Sequence, residues 1–338
     1  MGLSARMSTP LPTFADVEDA ARRIRGVAVR TPLVESPALN ARVGGRVLLK
    51  AENLQMAGAF KFRGAYNRIS RLTPAQIAAG VVAYSSGNHA QAVSAAARMV
   101  GAKALIVMPA DSPQVKIDGV RAFGGEVRLY DRYSESREDI AAGIARERGA
   151  VLVPPFDDPF VIAGQGTAGL EIIEEAEARG ATIDQLLCGA SGGGLMAGIN
   201  LAFEARSPAT EVWAVEPALY DDTARSLAAG ARVTHPPAPG TICDALMTPM
   251  PGELTFPINQ RRLKGALGVT DAEAAAAVRY AWSTLKLVVE PGGAVSLAAI
   301  LAGKIETRDR TTAVVLSGGN IDAALFSAII EDRFEPKA

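Results

Sequence analysis

Short apolar runs alternate with segments of helical spacing along most of this chain, and that alternation constrains the fold more than any other feature. Strand-like runs such as Val81 to Tyr84, Ala104 to Met108 and Glu126 to Tyr130 are each followed by a helix-like segment. The alternation resumes with Gln185 to Cys188 and continues as far as Thr311 to Leu316. Strands that alternate with helices are typical of parallel sheets covered by helices. The sequence therefore predicts an α/β fold.

Two proline-containing steps mark candidate domain crossings. Pro154-Pro155 follows a predicted strand, and Thr73-Pro74 follows the first strongly helical segment. Chain crossings between domains favour such sites. We therefore expect a small domain at 75–154, inserted into a large discontinuous domain made of 1–74 and 155–338.

Composition excludes several classes of protein. The 338 residues include 35 basic and 36 acidic side chains, so the sequence indicates neither a nucleic-acid nor a membrane-surface partner. No apolar run is long enough to span a bilayer. Cys188 and Cys243 are the two cysteines and form no close pair, which favours a reducing cytoplasm over a disulfide framework.

The heptapeptide from Ala59 to Ala65 places a lysine, Lys61, between Phe60 and Phe62 at a predicted strand-to-helix junction. A lysine held there is partly desolvated, which lowers the pKa of its amine and makes that amine available for a Schiff base. The alternative is a solvated cation at the start of a helix. The heptapeptide alone leaves both readings open.

A glycine-rich turn, Ser191 to Leu195, follows a predicted strand and opens a helix. Its backbone N–H groups and the positive end of the helix dipole suit a phosphate. Gly192, Gly194 and Ala197 also satisfy a dinucleotide fingerprint, with Glu216 placed as a ribose-binding acid. A nicotinamide-dinucleotide dehydrogenase is therefore the alternative, and a tight turn without a ligand is the simplest reading.

Two further turns place polar side chains just after predicted strands. The turn from Ser85 to His89 offers hydroxyl and amide groups at a helix N-terminus, which suit a carboxylate or a phenolic oxygen. Ordinary helix capping explains the same residues. The turn that begins at Ser317 places a hydroxyl at the edge of a sheet where ligands bind.

Together these four segments resemble the fold type II pyridoxal-phosphate enzymes, in the branch that holds serine racemase, catabolic threonine and serine dehydratases, and 3-hydroxyaspartate ammonia-lyase. Three more segments agree in the family's order: Ala163 to Thr167, Cys243 to Ala245 and Glu290 to Ala294. The resemblance implies two parallel-sheet α/β domains with the cofactor in the cleft between them. It also implies a homodimer. Ser191 stands where the family usually has the first of four glycines, and Ala59 replaces a frequent serine.

The resemblance assigns roles around the cofactor, pyridoxal 5'-phosphate. Lys61 would carry it as a Schiff base, with Phe60 and Ala245 on opposite faces of its ring. The phenolic oxygen would be bound by Asn88 and the pyridine nitrogen by Ser317. The phosphate would lie in the glycine-rich turn, whose residues are Ser191, Gly192, Gly193, Gly194 and Leu195.

The implied reaction is β-elimination from a β-hydroxy amino acid (serine, threonine or 3-hydroxyaspartate), giving a keto acid and ammonia. Lys61 would take the Cα proton. Ser86 matches the family's acid/base on the opposite face, so serine racemisation is an alternative activity; a hydrogen bond from Ser86 to the substrate carboxylate is an equally good reading. The residues expected around the substrate are Ser85, Ser86, Asn88, His89, Arg137 and Thr248.

Arg137 matches an arginine near the substrate pocket of the serine racemase-like branch. A guanidinium there could take a second, β-carboxylate, which favours 3-hydroxyaspartate without excluding serine or threonine. A helix-surface ion pair with Glu138 is the alternative.

Two carboxylates and a main-chain carbonyl lie close in sequence at Glu216, Tyr220 and Asp222. Such an all-oxygen set suits magnesium, manganese or calcium. The spacing resembles the divalent-cation site of serine racemase. On composition alone, a solvated acidic turn is the alternative.

Overall fold

The computed structural model describes residues 10–85, 87–112, 114–131 and 133–336. In chain order the strands are β1 (Leu33–Glu35), β2 (Arg46–Ala51), β3 (Val81–Tyr84), β4 (Ala104–Pro109), β5 (Glu126–Tyr130), β6 (Val151–Leu152), β7 (Gln185–Gly189), β8 (Glu211–Pro217), β9 (Leu263–Val269) and β10 (Thr311–Leu316). The helices are α1 (Phe14–Ile24), α2 (Pro37–Val43), α3 (Lys61–Ile69), α4 (Pro74–Ala79), α5 (Asn88–Val100), α6 (Gln114–Ala122), α7 (Arg137–Arg148), α8 (Pro159–Ala178), α9 (Gly194–Arg206), α10 (Asp222–Ala229), α11 (Thr255–Arg262), α12 (Asp271–Tyr280), α13 (Pro291–Leu301) and α14 (Ala323–Ile330).

The strands form two sheets. The six-stranded sheet has the order β1-β2-β10-β7-β8-β9, and the four-stranded sheet has the order β5-β4-β3-β6. All neighbouring strands are parallel except β1, which pairs antiparallel with β2 at the edge. The smaller sheet uses residues between 81 and 152, which lie inside the segment expected to be the small domain. The domain boundaries themselves stay a prediction.

Glycines allow the helix that begins at Lys61 to lie very close to its neighbour. A Cβ atom at Gly164 of α8 would lie 2.6 Å from the Cα of Gly64 in α3, and one at Gly64 would lie 2.5 Å from Gln165 Nε2. The backbone N–H of Gly64 donates to Gln165 Oε1 at 3.1 Å. Because contacts this short leave no room for a side chain, the register of α3 on α8 is fixed.

A set of paired ions next to α3 is called here the Arg63 cluster: the buried Lys50, Glu52 and Arg63 and the partly buried Glu171. Arg63 is fully buried and donates two hydrogen bonds of 2.8 Å to each of the two carboxylates. Lys50, also fully buried, lies 2.7 Å from Glu171 Oε2. Burial opposes ionisation of Glu171, but the charges of Arg63 and Lys50 outweigh that effect and lower its pKa. The cluster therefore joins β2, α3 and α8 through charges that are paired with one another.

Neither cysteine forms a disulfide; both are free and buried. Burial raises the pKa of both thiols, which keeps them protonated. Within the described ranges, no helix combines the length and apolar character needed to cross a membrane.

Candidate active site

A cavity of about 310 Å³ lies at the carboxyl ends of strands from both sheets. This is the edge at which ligands bind in parallel α/β proteins. Most of the predicted site residues line it: Phe60, Lys61, Ser85, Asn88, His89, Arg137, Ser191, Gly192, Gly193, Gly194, Leu195, Ala245, Thr248 and Ser317. Ser86, predicted as an acid/base, lies outside the described residues. The three predicted metal ligands do not line the cavity.

Lys61 is the first residue of α3, and its side chain lies at the cavity wall. Its Nζ donates a hydrogen bond of 2.6 Å to the carbonyl oxygen of Pro155 and lies 5.1 Å from the centroid of the Phe60 ring. Burial lowers the pKa of the amine to about 8. A substantial fraction of the amine is therefore neutral near that pH and can act as a nucleophile or accept a proton.

The glycine-rich turn joins β7 to α9 across the cavity from Lys61. Gly193 has a φ of 88°, and a Cβ atom at Gly192 would lie 2.4 Å from the Phe156 ring. Thr255 Oγ1 donates to the carbonyl of Gly192 at 2.6 Å, and Asn259 donates to that of Gly193 at 3.2 Å. These bonds hold the carbonyls, while the first N–H groups of α9 have no partner inside the helix. The turn thus has the geometry of an anion cradle.

Ser191, the departure from the family pattern, makes a contact that glycine could not. Its Oγ accepts a hydrogen bond of 3.1 Å from the backbone N–H of Thr248. The bond ties the glycine-rich turn to the segment that follows the short helical turn Asp244–Leu246. Ala245 belongs to that helical turn and lines the cavity, so Ser191 helps to fix its position.

Asn88 begins α5 and belongs to a chain of side-chain hydrogen bonds at the cavity wall. Its Nδ2 donates to Glu290 Oε1 at 2.5 Å, and its Oδ1 accepts from Asn320 Nδ2 at 2.8 Å. Burial raises the pKa of Glu290 to about 7, with a further contribution from Asp244. Ser317 also lines the cavity, and its carbonyl accepts a bond of 3.1 Å from the N–H of Phe60.

His89 is buried behind Asn88 and is fixed as a neutral imidazole. Its Nε2 lies 2.9 Å from the carbonyl oxygen of Val153, so this nitrogen must be the donor. Burial, together with the nearby charge of Lys61, lowers its pKa to about 3. His89 is therefore a poor general acid near neutral pH. The neighbouring Ser85 accepts a bond of 3.2 Å from the N–H of Gly87.

Arg137 forms an ion pair on the surface of its helix and also lies at the cavity wall. Its Nε donates to Glu138 Oε1 at 2.8 Å, which is the predicted ion pair. Its side chain also lines the cavity, with Cζ 5.5 Å from the centroid of the Tyr84 ring.

The three predicted metal ligands lie around the start of α10, where Glu216 and Asp222 are both buried. The carboxylate of Glu216 accepts bonds of 2.8 and 3.0 Å from the N–H groups of Thr223 and Ala224. Neither carboxylate oxygen of Asp222 has a hydrogen-bond partner in the part of the chain that the structure describes. Burial raises the pKa of Glu216 to about 7, and burial with the charge of Glu216 raises that of Asp222 to about 8.

The side chain of Tyr220 turns away to the carbonyl of Pro239, at 2.9 Å, so only the main-chain carbonyl of Tyr220 is available for the predicted site. No group of three or more His, Cys, Asp or Glu side chains suited to a metal occurs among the described residues. The predicted set contains two carboxylates, and the buried oxygens of Asp222 fit a cation as their missing partner.

Several cavity residues carry no signal in the sequence that would mark them. Glu290 stands out there only as part of a motif, and its bond to Asn88 spans 202 residues of sequence. Lys116 lines the cavity and forms an ion pair with Asp244, which joins α6 to the helical turn that carries Ala245. Tyr84 is predicted only as the end of a strand. No local pattern indicates that Lys116 or Tyr84 lies at the site, and the motif that contains Glu290 does not indicate its partner.

Comparison with known proteins gives consistent results. A sequence profile described as "Pyridoxal-phosphate dependent enzyme" matches residues 24–318. The chain is 41% identical over 321 residues to L-threo-3-hydroxyaspartate ammonia-lyase of a Pseudomonas species, covering 95% of this chain and 99% of that protein. It is 40% identical to serine racemase of Schizosaccharomyces pombe, covering 92% of this chain and 95% of that protein.

Solved structures agree. The crystal structure of a threonine deaminase from T.th. superimposes with a TM-score of 0.86 at 44% identity, covering 92% of this chain and 99% of that one. Maize serine racemase gives a TM-score of 0.89 at 36% identity, covering 96% of this chain and 98% of that one. The prediction of the α/β fold of the fold type II pyridoxal-phosphate enzymes is confirmed.

Proposed function

The chain belongs to the pyridoxal-phosphate dependent enzyme family, and on that premise we propose that it removes the β-hydroxyl group of 3-hydroxyaspartate, releasing a keto acid and ammonia. The observation that carries the proposal is the shared cavity: the Lys61 amine, the glycine-rich turn and Arg137 all line it. Ammonia-lyases and serine racemases are both among the relatives. Family membership favours this lyase chemistry over the dehydrogenase alternative.

The cavity residues fit pyridoxal 5'-phosphate. The first N–H groups of α9 would hold its phosphate, together with the backbone of Gly192 to Gly194, where there is no room for a side chain. Phe60 and Ala245 would cover the two faces of its ring, and Asn88 and Ser317 would bind its phenolic oxygen and pyridine nitrogen. Bound at Lys61, the cofactor supplies an electron sink for the negative charge left on the substrate Cα.

Lys61 is the residue proposed to accept the Cα proton. Its lowered pKa makes the neutral amine accessible near pH 8, and the Pro155 carbonyl gives the amine a fixed hydrogen-bond acceptor. His89 is too weak a base for this role, because burial lowers its pKa to about 3 and its Nε2 is bound to the carbonyl oxygen of Val153. Ser86 remains the proposed acid/base on the face of the substrate opposite Lys61. Serine racemisation therefore remains the alternative activity.

Substrate choice is proposed to depend on Arg137. Its Nε is occupied by Glu138, so the Nη1 and Nη2 groups form the remaining edge through which it could bind a carboxylate in bidentate fashion. Thr248, Ser85 and Asn88 are proposed to complete the substrate wall. Of the candidate substrates, 3-hydroxyaspartate is the one whose second carboxylate Arg137 could bind.

We also propose a divalent cation, magnesium, manganese or calcium, at Glu216, the Tyr220 carbonyl and Asp222. Two buried carboxylates with raised pKa values are the observation behind it. The homodimer and the cytoplasmic location are proposals that rest on the family resemblance and on the sparse cysteines.

The substrate proposal is tested by assaying keto-acid release from L- and D-serine, L-threonine and the 3-hydroxyaspartate isomers. Arg137→Ala should lower kcat/KM for 3-hydroxyaspartate at least about tenfold more than for serine, because a desolvated carboxylate loses its partner. Arg148→Ala, which removes an exposed arginine of the same helix, should leave both values unchanged. Equal losses for Arg137→Ala on both substrates would leave a general serine or threonine dehydratase as the better description.

A further inference from the structure

Arg137 is restrained on two sides at the cavity wall. The carboxylate of Glu138 accepts from its Nε at 2.8 Å, and the ring of Tyr84 lies against the guanidinium, with 5.5 Å from Cζ to the ring centroid. An arginine side chain has many rotamers, and each contact that removes some of them before a ligand arrives lowers the entropic cost of binding. The orientation of Arg137 is thus built into the protein.

Tyr84 can hold the guanidinium of Arg137 without neutralising its charge and without occupying its N–H donors. Glu138 neutralises part of the charge and occupies one N–H group, but its side chain is 53% exposed, so water screens its negative charge. A tyrosine ring attracts the cation through its face and leaves the Nη groups free to donate. Among the described residues, no hydrogen bond of Arg137 other than that to Glu138 is formed.

The position of Tyr84 is fixed by the four-stranded sheet. It is the last residue of β3 and pairs in register with Val107 of β4, and the N–H of the next residue, Ser85, donates to Val107 O at 3.2 Å. Ser85 opens the turn proposed to face the substrate. Because Tyr84 and Ser85 are consecutive residues, the backbone fixes the ring of Tyr84 next to that turn. The contact with Tyr84 therefore fixes the position of Arg137 relative to the turn.

We propose that Tyr84 is a positioning residue for substrate specificity, whose ring orients the Arg137 guanidinium so that the Nη1 and Nη2 groups receive the second carboxylate of a dicarboxylic substrate. The inference rests on the proposed function and extends it. It makes selection of dicarboxylates depend on an aromatic ring that makes no hydrogen bond to the substrate.

The test compares Tyr84→Leu with Tyr84→Phe in the holoenzyme. Loss of the ring should raise KM for threo-3-hydroxyaspartate about tenfold, the order expected of a partly desolvated cation–π contact, with a much smaller change in kcat. KM for serine should change far less. Tyr84→Phe, which keeps the ring face, should restore most of the preference for the dicarboxylic substrate. Tyr133→Leu, which removes a tyrosine that is 87% exposed, serves as the control.

A binding measurement separates this inference from the proposed function. Calorimetric titration should show that Tyr84→Leu weakens succinate binding about tenfold, while the binding of propionate, with one carboxylate, changes little. If the wild-type protein turns over no β-hydroxy amino acid, the proposed function fails, and the succinate titration still decides the role of Tyr84. Equal effects on both ligands, or on both substrates, would overturn the inference, as would a Tyr84→Phe variant that behaves like Tyr84→Leu.

Discussion

The Arg63 cluster and the turn from Glu216 to Asp222 both bury carboxylates, but they treat the charges in opposite ways. Glu52 and Glu171 each receive two hydrogen bonds from Arg63. Asp222 is fully buried, yet neither of its oxygens has a partner among the described residues. The pKa of Glu171 is lowered, and the pKa values of Glu216 and Asp222 are raised.

The difference separates a structural region from a binding region. Buried ions that satisfy one another hold elements together and need nothing from solution. Buried carboxylates without a cation must either take up protons or acquire a cation. The Arg63 cluster therefore supports the helix of Lys61, whereas the turn at Asp222 is proposed to be complete only when an ion is bound.

The largest expected effect comes from removing the central cation of the Arg63 cluster. Arg63→Met would leave Glu52 buried without its partner, and loss of one member of a buried pair costs about 3 to 5 kcal/mol in free energy of unfolding. Urea denaturation would measure it. The matched control is Arg261→Met, which removes an exposed partner of Glu204 and should cost no more than about 1 kcal/mol. Similar losses in the two variants would contradict the structural role of the cluster.

Next in size is the response to a divalent cation. An ion that binds only the folded protein adds about 2.7 kcal/mol at a hundred times its dissociation constant. Magnesium or manganese should therefore raise the Tm of chelator-treated wild-type protein. Asp222→Asn should abolish that gain, whereas Asp221→Asn, whose carboxylate pairs with Arg225, should keep it. A Tm that does not respond to any of the three proposed ions would contradict the cation site and favour the alternative, an acidic turn without a metal.

A third prediction concerns pH. The folded pKa values of Glu216 and Asp222, about 7 and about 8, lie above their ordinary values, so the metal-free folded protein binds more protons than the unfolded chain. Its free energy of unfolding should therefore fall between about pH 4 and pH 8 as these groups lose their protons. Glu171 acts in the opposite direction, since its lowered pKa gives stability that is lost on acidification.

The contribution of Asp222 is isolated by subtracting the pH profile of Asp222→Asn from that of the wild type in the presence of chelator. The difference should slope downward from about pH 4 to about pH 8 and flatten when magnesium is added. A difference that stays flat without metal would show that Asp222 ionises freely in the folded protein.

Local patterns predicted part of the fold closely. The strands Val81–Tyr84, Glu126–Tyr130 and Thr311–Leu316 have their predicted bounds because each is a short strand-like run between clear breaks. The sequence pattern predicts no helix or strand in 217–270, where the structure has α10, α11 and β9. Strand β9 contains Gly265 and Gly268, which weaken a strand pattern, and Gly265 is required because a Cβ there would lie 2.8 Å from the Trp213 ring.

One predicted helix was too long. The helical spacing from Asp271 to Leu287 predicts a single helix. In the structure the α-helix ends at Tyr280 and continues as a π-helical turn, Ala281–Leu285, before Lys286 takes a φ of 61°. Nothing in the sequence between these points is a strong helix breaker. The change of helix type is therefore a product of tertiary packing.

Among the residues that line the cavity, the sequence predicted those next to strand ends and glycine turns, because those carry local signals. It did not identify partners that meet only in the folded chain. Arg63 and Glu171 lie 108 residues apart, and Asn88 and Glu290 lie 202 apart. The contact between Arg137 and Tyr84 joins the first residue of α7 to the last residue of β3. Such pairings are set by topology.

The most direct test of the account is to find which lysine carries the cofactor. The purified protein should be yellow with pyridoxal phosphate, and after borohydride reduction and proteolysis the modified peptide should contain Lys61. Lys116 also lines the cavity but is paired with Asp244, so it should stay unmodified and serve as the internal control. Lys61→Ala should abolish the covalent product and turnover. Reduction that labels Lys116 instead, or a colourless protein that gains nothing from pyridoxal phosphate, would contradict the assignment.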